Sequence, residues 1–247
     1  MTRYVSEMGG KDAIVVDETA DLDAAAAGIV RSAFGFQGQK CSACSRAIVD
    51  RRVKDRLVEM LVEKAGKLPA GDPWEGPCVF TGPVANRGAH AKILEAIETG
   101  RKEARLVLGG HAMDRPGWFV APTIFDGVES RSFLGQEEIF GPVLAVITVD
   151  GIDEALDTAN DTRYGLTGAF FSSSIERIDR AKREFHCGNL YINRGCTGAL
   201  VGVHPFGGFN LSGTDSKAGG PDYLMNFTQG KTTSERTTVS RLPGIGV

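Results

Sequence analysis

Residues 34–46 of the chain read FGFQGQKCSACSR, a polar, glycine-containing stretch between two regular elements. Upstream, residues 21–34 have the alanine-rich composition and initial aspartate of a helix. Downstream, residues 47–50 form the apolar run of a short buried strand. Cys41 therefore lies in a turn between a helix and a strand, where free backbone N–H groups can stabilise a thiolate.

The neighbours of Cys41 decide how this thiol is interpreted. A lone cysteine is more often a small buried hydrophobic residue than a reactive group. The surrounding glutamines and serines, however, would make a poor apolar core. Gly35 and Gly38 are expected to let the backbone approach the sulfur, and the positive charge of Lys40 is expected to favour the thiolate. We therefore interpret Cys41 as a nucleophile.

A Cys-x-x-Cys pair, Cys41 and Cys44, leaves redox or metal chemistry as an alternative. No second pair of this kind follows in the sequence, and the four histidines are scattered, so a zinc site lacks ligands at the usual spacing. We expect no bound metal. The remaining cysteines are interpreted as structural thiols: Cys44, Cys78, Cys187 and Cys196.

The composition restricts the class of protein. With 42% hydrophobic and 24% charged residues among 247, the chain can bury a substantial core. A net charge of −3 gives no reason to expect nucleic acid or an anionic membrane as a partner. Five cysteines are an odd number and suit free thiols in a reducing compartment. The sequence lacks a membrane-spanning run and a signal-peptide pattern, so we predict a cytoplasmic protein.

Strands and helices alternate along the sequence with short connections. This alternation predicts an α/β fold with a largely parallel sheet and helices on both faces. Residues 1–225 are assigned to one catalytic domain, and residues 226–247 to a polar, β-prone tail that we expect to pair with another subunit of a homo-oligomer. Strands are predicted at 13–16, 47–50, 105–108, 118–125, 143–149, 168–171 and 188–193, and helices at 21–34, 53–64, 84–99, 152–159 and 175–185.

Three short stretches must be considered together: EMGGK at residues 7–11, GQKC at 38–41 and EIFGP at 138–142. In this order they resemble the three signature stretches of the aldehyde dehydrogenase superfamily. The 34-residue step from Glu7 to Cys41 also matches the family's separation of general base and nucleophile. Any one of these residues alone would have a bland explanation, such as a solvated carboxylate or a core aromatic. Their joint occurrence favours the family.

Finer details resemble one branch of this family, the 1-pyrroline-5-carboxylate dehydrogenases, which oxidise glutamate semialdehyde to glutamate. A succinate semialdehyde enzyme is the nearest competitor. The resemblance runs from about residue 7 to residue 236 and covers the C-terminal half of such an enzyme. It is carried by residues 38–46, 193–199, 205–208, 212–214 and 217–221.

The resemblance implies a mechanism. Thiolate Cys41 would add to the aldehyde carbon, hydride would leave to NAD+, and Glu7 would activate the water that hydrolyses the resulting thioester. Glu138 would contact the nicotinamide ribose and Phe140 the cofactor near its nicotinamide end. The remaining substrate contacts implied are Ser42, Gly198 and Ala199 for a carboxylate and Phe206 for the aliphatic stem.

The sequence contains no Gly-x-Gly-x-x-Gly turn of a dinucleotide site. In the family that the chain resembles, the NAD-binding domain lies mostly before the position of Glu7. We therefore expect an N-terminal NAD-binding domain to be absent here and the chain alone to be weak or inactive as a dehydrogenase. A non-catalytic folding or oligomerisation fragment and a cofactor-independent thiol esterase remain as alternatives.

Overall fold

The computed structural model describes residues 4–200, 202–214 and 216–235. These residues form a seven-stranded sheet in the order β3-β4-β5-β2-β1-β6-β7. All neighbouring strands are parallel except β3, which lies at one edge and runs antiparallel to β4. The predicted, largely parallel α/β fold is confirmed. The strands are β1 (Ala13–Val16), β2 (Arg46–Asp50), β3 (Arg105–Leu108), β4 (Thr123–Asp126), β5 (Val143–Val149), β6 (Thr167–Phe171) and β7 (Asn189–Ile192).

Helices cover both faces of the sheet, as the continuous apolar strands require. On β1, Ile14 and Val16 belong to a core with α1 and α2, whereas Ala13 and Val15 belong to a second core with α3, α5 and α6. The alternation of side chains along one strand therefore supplies both cores. The helices are α1 (Leu22–Phe34), α2 (Arg51–Gly66), α3 (Arg87–Glu103), α4 (Phe133–Gln136), α5 (Gly151–Asn160) and α6 (Ile175–Glu184).

Three elements differ from the sequence prediction. Helix α3 was predicted from residue 84, but it begins at Arg87 because the Asn86 side chain accepts a hydrogen bond from Ala89 N (2.9 Å) and caps the helix. The strand predicted over residues 118–125 is confined to β4. The four-residue helix α4 was not predicted, because so short a segment carries no helical periodicity.

The predicted C-terminal strand lies only partly within the described residues. A 3₁₀ helix spans Tyr223–Phe227, and residues 228–235 are exposed and form no strand within this part of the chain. Residues 236–247, the other half of the tail, lie outside the described residues. The assignment of residues 226–247 to oligomerisation stays a prediction, as does the domain boundary before it.

Each of the three signature stretches lies a few residues or fewer before a strand. Residues 7–11 lead into β1, residues 38–41 into β2 and residues 138–142 into β5. These strands are adjacent in the sheet, since Ala13 lies opposite Arg46 and Arg46 opposite Ala145. The three stretches therefore meet at the amino edge of the sheet, whereas open α/β sheets usually bind ligands at the carboxyl edge.

Two fully buried cations connect these stretches. Arg46 donates from Nε to the carbonyl of Lys11 (2.9 Å) and from its terminal nitrogens to the carbonyls of Thr158 and Ala159 (3.0 and 2.9 Å) at the end of α5. Lys11 Nζ donates in turn to the carbonyl of Glu137 (2.8 Å). Burial lowers the pKa of Arg46 to about 10 and that of Lys11 to about 7.

Asp12 adds a buried carboxyl group to this cluster. Its Oδ1 accepts a hydrogen bond from Thr167 N (2.6 Å), while Oδ2 has no hydrogen-bond partner among the residues described. Burial raises the pKa of Asp12 to about 8, although the hydrogen bond from Thr167 and the charge of Arg46 oppose the rise. Asp12 is therefore protonated at neutral pH.

We expect Arg46→Met to lower the free energy of unfolding by about 3 kcal/mol, because three buried carbonyls lose their charged donor. Urea titration followed by circular dichroism measures the change. The same substitution at the exposed Arg56 of α2 is the matched control, with an expected change below about 0.5 kcal/mol. Equal urea midpoints for the two variants would contradict the view that Arg46 stabilises the fold through its hydrogen bonds to the three carbonyls.

Asp12→Asn should change how stability depends on pH. The pKa of Asp12 rises from 3.8 to about 8 on folding, so between these values the folded chain holds a proton that the unfolded chain has released. The free energy of unfolding therefore falls as pH rises, by at most about 1.4 kcal/mol per pH unit. The pKa of Lys11 is lowered to about 7, so Lys11 makes the free energy of unfolding rise with pH, but only above pH 7.

Urea titrations at pH 5, 6 and 7 isolate the effect of Asp12. The variant keeps the acceptor for Thr167 N but cannot ionise, so its stability should fall less with pH than that of the wild type. Asn in place of the exposed Asp114 is the control and should leave the wild-type slope unchanged. Parallel slopes for wild type and Asp12→Asn would show that Asp12 is ionised throughout.

Candidate active site

Cys41 lies half-buried in the turn between α1 and β2, as predicted. Gly38 has a φ of 65°, and a Cβ there would collide with the backbone of Gly141 in the third signature stretch. Gly38 is therefore required for this close approach. The same expectation for Gly35 is wrong: its φ is −60°, and a Cβ would lie 3.9 Å from Phe80 in ordinary contact.

The backbone at Gly10 joins the three signature stretches. Gly10 N donates a hydrogen bond to Glu138 Oε1 (2.9 Å). A Cβ on Gly10 would lie 2.7 Å from the carbonyl oxygen of Cys41, and a Cβ on Gly9 would overlap the Glu138 carboxylate. Only glycines let residues 7–11 pass between Glu138 and the turn of Cys41.

The electrostatic surroundings of Cys41 differ from the prediction. Burial raises the pKa of the thiol, with the nearby carboxyl group of Asp12 and, to a lesser extent, that of Glu138 adding to the rise. Hydrogen bonds from the backbone N–H groups of Ser42 and Cys41 lower it, which is the predicted effect of the turn, but burial prevails. The expectation that Lys40 favours the thiolate stays a prediction: this residue is exposed and lines two cavities, one of which it shares with Gly10 and Glu138.

Glu7 lies in a second group of residues, formed with the segments that contain Gly207 and Gly213. It forms an isolated antiparallel bridge with Gly213, and its Oε1 would lie 3.6 Å from a Cβ on Gly207. Partial burial raises the pKa of the Glu7 carboxylate, and the charge of Lys217 offsets part of the rise. The carboxylate thus lies near Gly207 and Lys217, whereas within residues 7–11 it is Gly10 that approaches the Cys41 turn.

The predicted cofactor residues lie next to this junction. Glu138 is half-buried and fixed by its hydrogen bond from Gly10. Phe140 has a φ of 61° and is 40% exposed. A non-glycine residue in the left-handed region is strained, and such strain tends to persist at functional sites. The structure thus places an anchored carboxylate and an exposed aromatic ring two residues apart.

One hydrogen bond connects two of the segments that contain the predicted carboxylate-binding residues. Cys196 Sγ donates to the carbonyl of Ser42 (3.4 Å), which places the loop containing Gly198 and Ala199 beside the Cys41 turn. Gly198 is exposed, with a φ of 90°. Phe206 is half-buried and lies on the Glu7 side, where its backbone pairs with Ala218.

The other cysteines are free thiols. Cys44 and Cys196 are fully buried, Cys187 is buried and Cys78 is exposed. Burial raises the pKa of Cys187 to about 12. In residues 4–200, 202–214 and 216–235, no group of three or more His, Cys, Asp or Glu side chains is arranged to hold a metal ion. No helix in the described part of the chain combines the length and apolarity needed to cross a membrane.

Sequence reasoning missed four residues that organise the site: Lys11, Asp12, Arg46 and Lys217. Lys217 Nζ donates to the carbonyls of Gly188 (2.9 Å) and Gly207 and so supports the neighbours of Glu7. A signal existed for the first three, since each begins a strand of buried apolar residues or lies one or two positions before one. A charged side chain at the start of a buried strand is carried into the protein interior together with that strand. No comparable signal marks Lys217.

The sequence matches the aldehyde dehydrogenase family over residues 1–233. The 1-pyrroline-5-carboxylate dehydrogenase of Geobacillus thermodenitrificans (strain NG80-2) is 56% identical over 235 residues, which are 95% of this chain and 45% of that relative. The 1-pyrroline-5-carboxylate dehydrogenase 2 of Bacillus subtilis (strain 168) is 54% identical over 235 residues, with the same shares of 95% and 45%. The chain therefore spans less than half the length of these relatives.

A solved structure supports the same relationship. The 1-pyrroline-5-carboxylate dehydrogenase from Thermus, with bound NAD, superposes with a TM-score of 0.88 at 52% identity, over 90% of this chain and 43% of that one. The sequence match to the family and this superposition agree in covering nearly the whole chain. The chain belongs to the aldehyde dehydrogenase family.

Proposed function

We propose that the chain is the Cys41-bearing catalytic part of an NAD-dependent 1-pyrroline-5-carboxylate dehydrogenase, which oxidises L-glutamate 5-semialdehyde to L-glutamate. The observation that carries this proposal is the position of Gly10 between Glu138 and the Cys41 turn, since it unites all three signature stretches at one edge of the sheet. The names of relatives at 52–56% identity support the choice of substrate.

Cys41 is the proposed nucleophile. Its thiolate forms a bond to the aldehyde carbon, and the carbonyl oxygen becomes the oxyanion of a thiohemiacetal. The backbone N–H groups that already donate to the sulfur favour the thiolate against the burial that raises the pKa of Cys41. After the carbon has lost a hydride, the substrate is held on Cys41 as a thioester.

NAD+ is the proposed cofactor, and the residues present fit its ribose and nicotinamide end. Glu138 offers a fixed carboxylate that can accept hydrogen bonds from ribose hydroxyls, and Phe140 offers an exposed ring face. When bound, NAD+ supplies the hydride acceptor. Most of its site would lie in the part of the relatives that this chain does not cover.

Glu7 is the proposed general base of the second step. A carboxylate with a raised pKa holds a proton more firmly than an ordinary one and is better matched to accepting it from water near neutral pH. The hydroxide so generated attacks the thioester, releases the acid product and returns the Cys41 thiolate. Phe206 and Gly207, on the Glu7 side, would flank the aliphatic stem of the substrate.

The substrate carboxylate is assigned to Ser42 and to the backbone N–H groups of Gly198 and Ala199. The hydrogen bond between Cys196 and Ser42 supports this assignment because it holds the two segments side by side. As in the sequence prediction, we propose a homo-oligomer formed through the C-terminal tail and a cytoplasmic location, to which the five free cysteines are suited.

Burst kinetics with a nitrophenyl ester should separate the roles of Cys41 and Glu7. We expect Cys41→Ser to abolish both the burst and the turnover. Glu7→Gln should keep a stoichiometric burst of nitrophenolate, since acylation needs only Cys41, but slow the steady state by about 100-fold because deacylation loses its base. Cys78→Ser and Glu59→Gln, two exposed sites, are the controls. A normal burst in Cys41→Ser would remove this residue from the mechanism.

The aldehyde itself tests the substrate assignment. We expect the chain to reduce NAD+ slowly with glutamate semialdehyde and at least about tenfold more slowly still with propionaldehyde at the same concentration, because a neutral aldehyde has no carboxylate to bind. Absorbance at the reduced-cofactor band measures both rates. Equal rates with the two aldehydes would refute the carboxylate assignment, and a signal that survives in Cys41→Ser would refute the proposed chemistry.

A further inference from the structure

Residues 36–39, just before Cys41, form a left-handed turn. The first three of them have φ values of 55°, 57° and 65°. A hydrogen bond from Gln39 N to the carbonyl of Phe36 (3.0 Å) closes the turn. Glycine, the third residue, adopts this region without penalty, whereas phenylalanine and glutamine are strained in it. Such strain persists only where the surrounding structure holds the conformation.

The two glutamine side chains of the turn make contacts that can hold it, whereas the side chain of Phe36 is 66% exposed. Gln39 Oε1 accepts a hydrogen bond from Ala85 N (2.9 Å). In the amide orientation that satisfies both of its groups, Gln37 accepts from Gly82 N (2.6 Å) and donates to the carbonyl of Phe36 (3.0 Å). Both glutamines are half-buried. We call these two side chains the glutamine clamp.

The segment that receives the clamp is fixed by contacts of its own. Val84 is 2% exposed and belongs to the core that contains side chains of α3. Its N–H group donates to the carbonyl of Trp118 (2.8 Å). Asn86, two residues on, caps α3. Residues 82–86 are therefore a rigid support, and the clamp ties the strained turn to it.

The conformation of the turn matters for the thiol that follows it. Hydrogen bonds from the backbone N–H groups of Cys41 and Ser42 lower the pKa of the Cys41 thiol and oppose the effect of burial. An N–H group stabilises a thiolate only when it points at the sulfur. Its direction follows from the dihedral angles of the residues before it. A turn that relaxed to right-handed angles would redirect these donors.

We propose that Gln39, assisted by Gln37, is a positioning residue for Cys41: its hydrogen bond from Ala85 N holds the left-handed turn in the conformation that points backbone N–H groups at the sulfur. The clamp acts through the backbone alone. Its importance for acyl transfer rests on the proposed function of Cys41. Its effect on the reactivity of the thiol does not, because that reactivity can be measured without substrate or cofactor.

Alkylation of Cys41 by iodoacetamide tests the proposal on the 247-residue chain. The reagent reacts with the thiolate, so the pH dependence of the rate, from about pH 6 to about pH 10, reports how readily the thiolate forms. Fragment-ion mass spectrometry locates the adduct and distinguishes Cys41 from the buried Cys44. The exposed Cys78 is the internal reference for the reagent.

Variants connect the reactivity to the clamp. Gln39→Met keeps the length of the side chain but removes the acceptor, so we expect Cys41 to react about tenfold more slowly at pH 8, with the midpoint of the pH profile raised by about one unit. Gln37→Met should act in the same direction. Gln39→Glu keeps an acceptor for Ala85 N near the start of α3 and should stay within about threefold of the parent. The exposed Gln229→Met is the matched control and should change nothing.

Urea titration of each variant separates positioning from stability. A clamp that only stabilises the fold predicts a lower urea midpoint with the pH profile of alkylation unmoved, and this result would overturn the proposal. So would unchanged or faster alkylation of Cys41 in Gln39→Met, or a Gln39→Glu variant as slow as Gln39→Met. Should Gln39→Met not fold, the Gln37→Met variant provides the same test with the same expected shift.

The nitrophenyl ester burst distinguishes the two levels of inference. A normal burst in the parent, with alkylation and burst rates unchanged in Gln39→Met, refutes the clamp and leaves the proposed function intact. No burst in the parent, with slower alkylation of Cys41 in Gln39→Met, supports the clamp and refutes the proposed function.

Discussion

The hydrogen bonds that Arg46 and Lys11 donate to backbone carbonyls are the constraint on which the site depends. Residues 7–11 contain two glycines whose missing side chains create the space for Glu138 and the Cys41 turn, so this segment cannot be held by apolar packing of its own side chains. Buried cations hold its backbone instead. Their desolvation is costly, as the lowered pKa values of about 7 and about 10 indicate, and the hydrogen bonds to carbonyls offset this cost and fix the geometry.

Much of the fold could be predicted because the apolar runs are clear. Val143–Val149 is a continuous buried strand, and helix α1 begins one residue after the aspartate that caps it. The spatial order of the strands could not be predicted in this way, since β2 pairs with β5 and β1 with β6, and the members of each pair are distant in sequence. That order decides which turns meet. Periodicity gives the elements, whereas the pairing of parallel strands depends on packing across both faces.

Prediction of the site from the sequence was limited in a related way. Family resemblance singled out Cys41, Glu7 and Glu138 as candidates, whereas the effect of Lys40 was inferred only from its adjacency to Cys41 in sequence, and neighbouring side chains in a turn need not face the same space. Charged residues next to strands were overlooked because lysine and arginine are seldom fully buried. Lys11 and Arg46 are exceptions that carbonyl hydrogen bonds make possible. A sequence gives the residue types of a site more readily than the direction of each side chain.

The Cys41 turn separates two regions of opposite electrostatic character. On one side lie the carboxyl groups of Asp12 and Glu138, which raise the pKa of the thiol, and on the other lies a cavity lined by the cations Arg31, Lys40 and Arg194. A carboxylate ligand bound without those cations would add a further negative charge near the sulfur and oppose the thiolate. Burial raises the pKa of Asp12 to about 8, so the charge of Asp12 adds to this opposition only at higher pH.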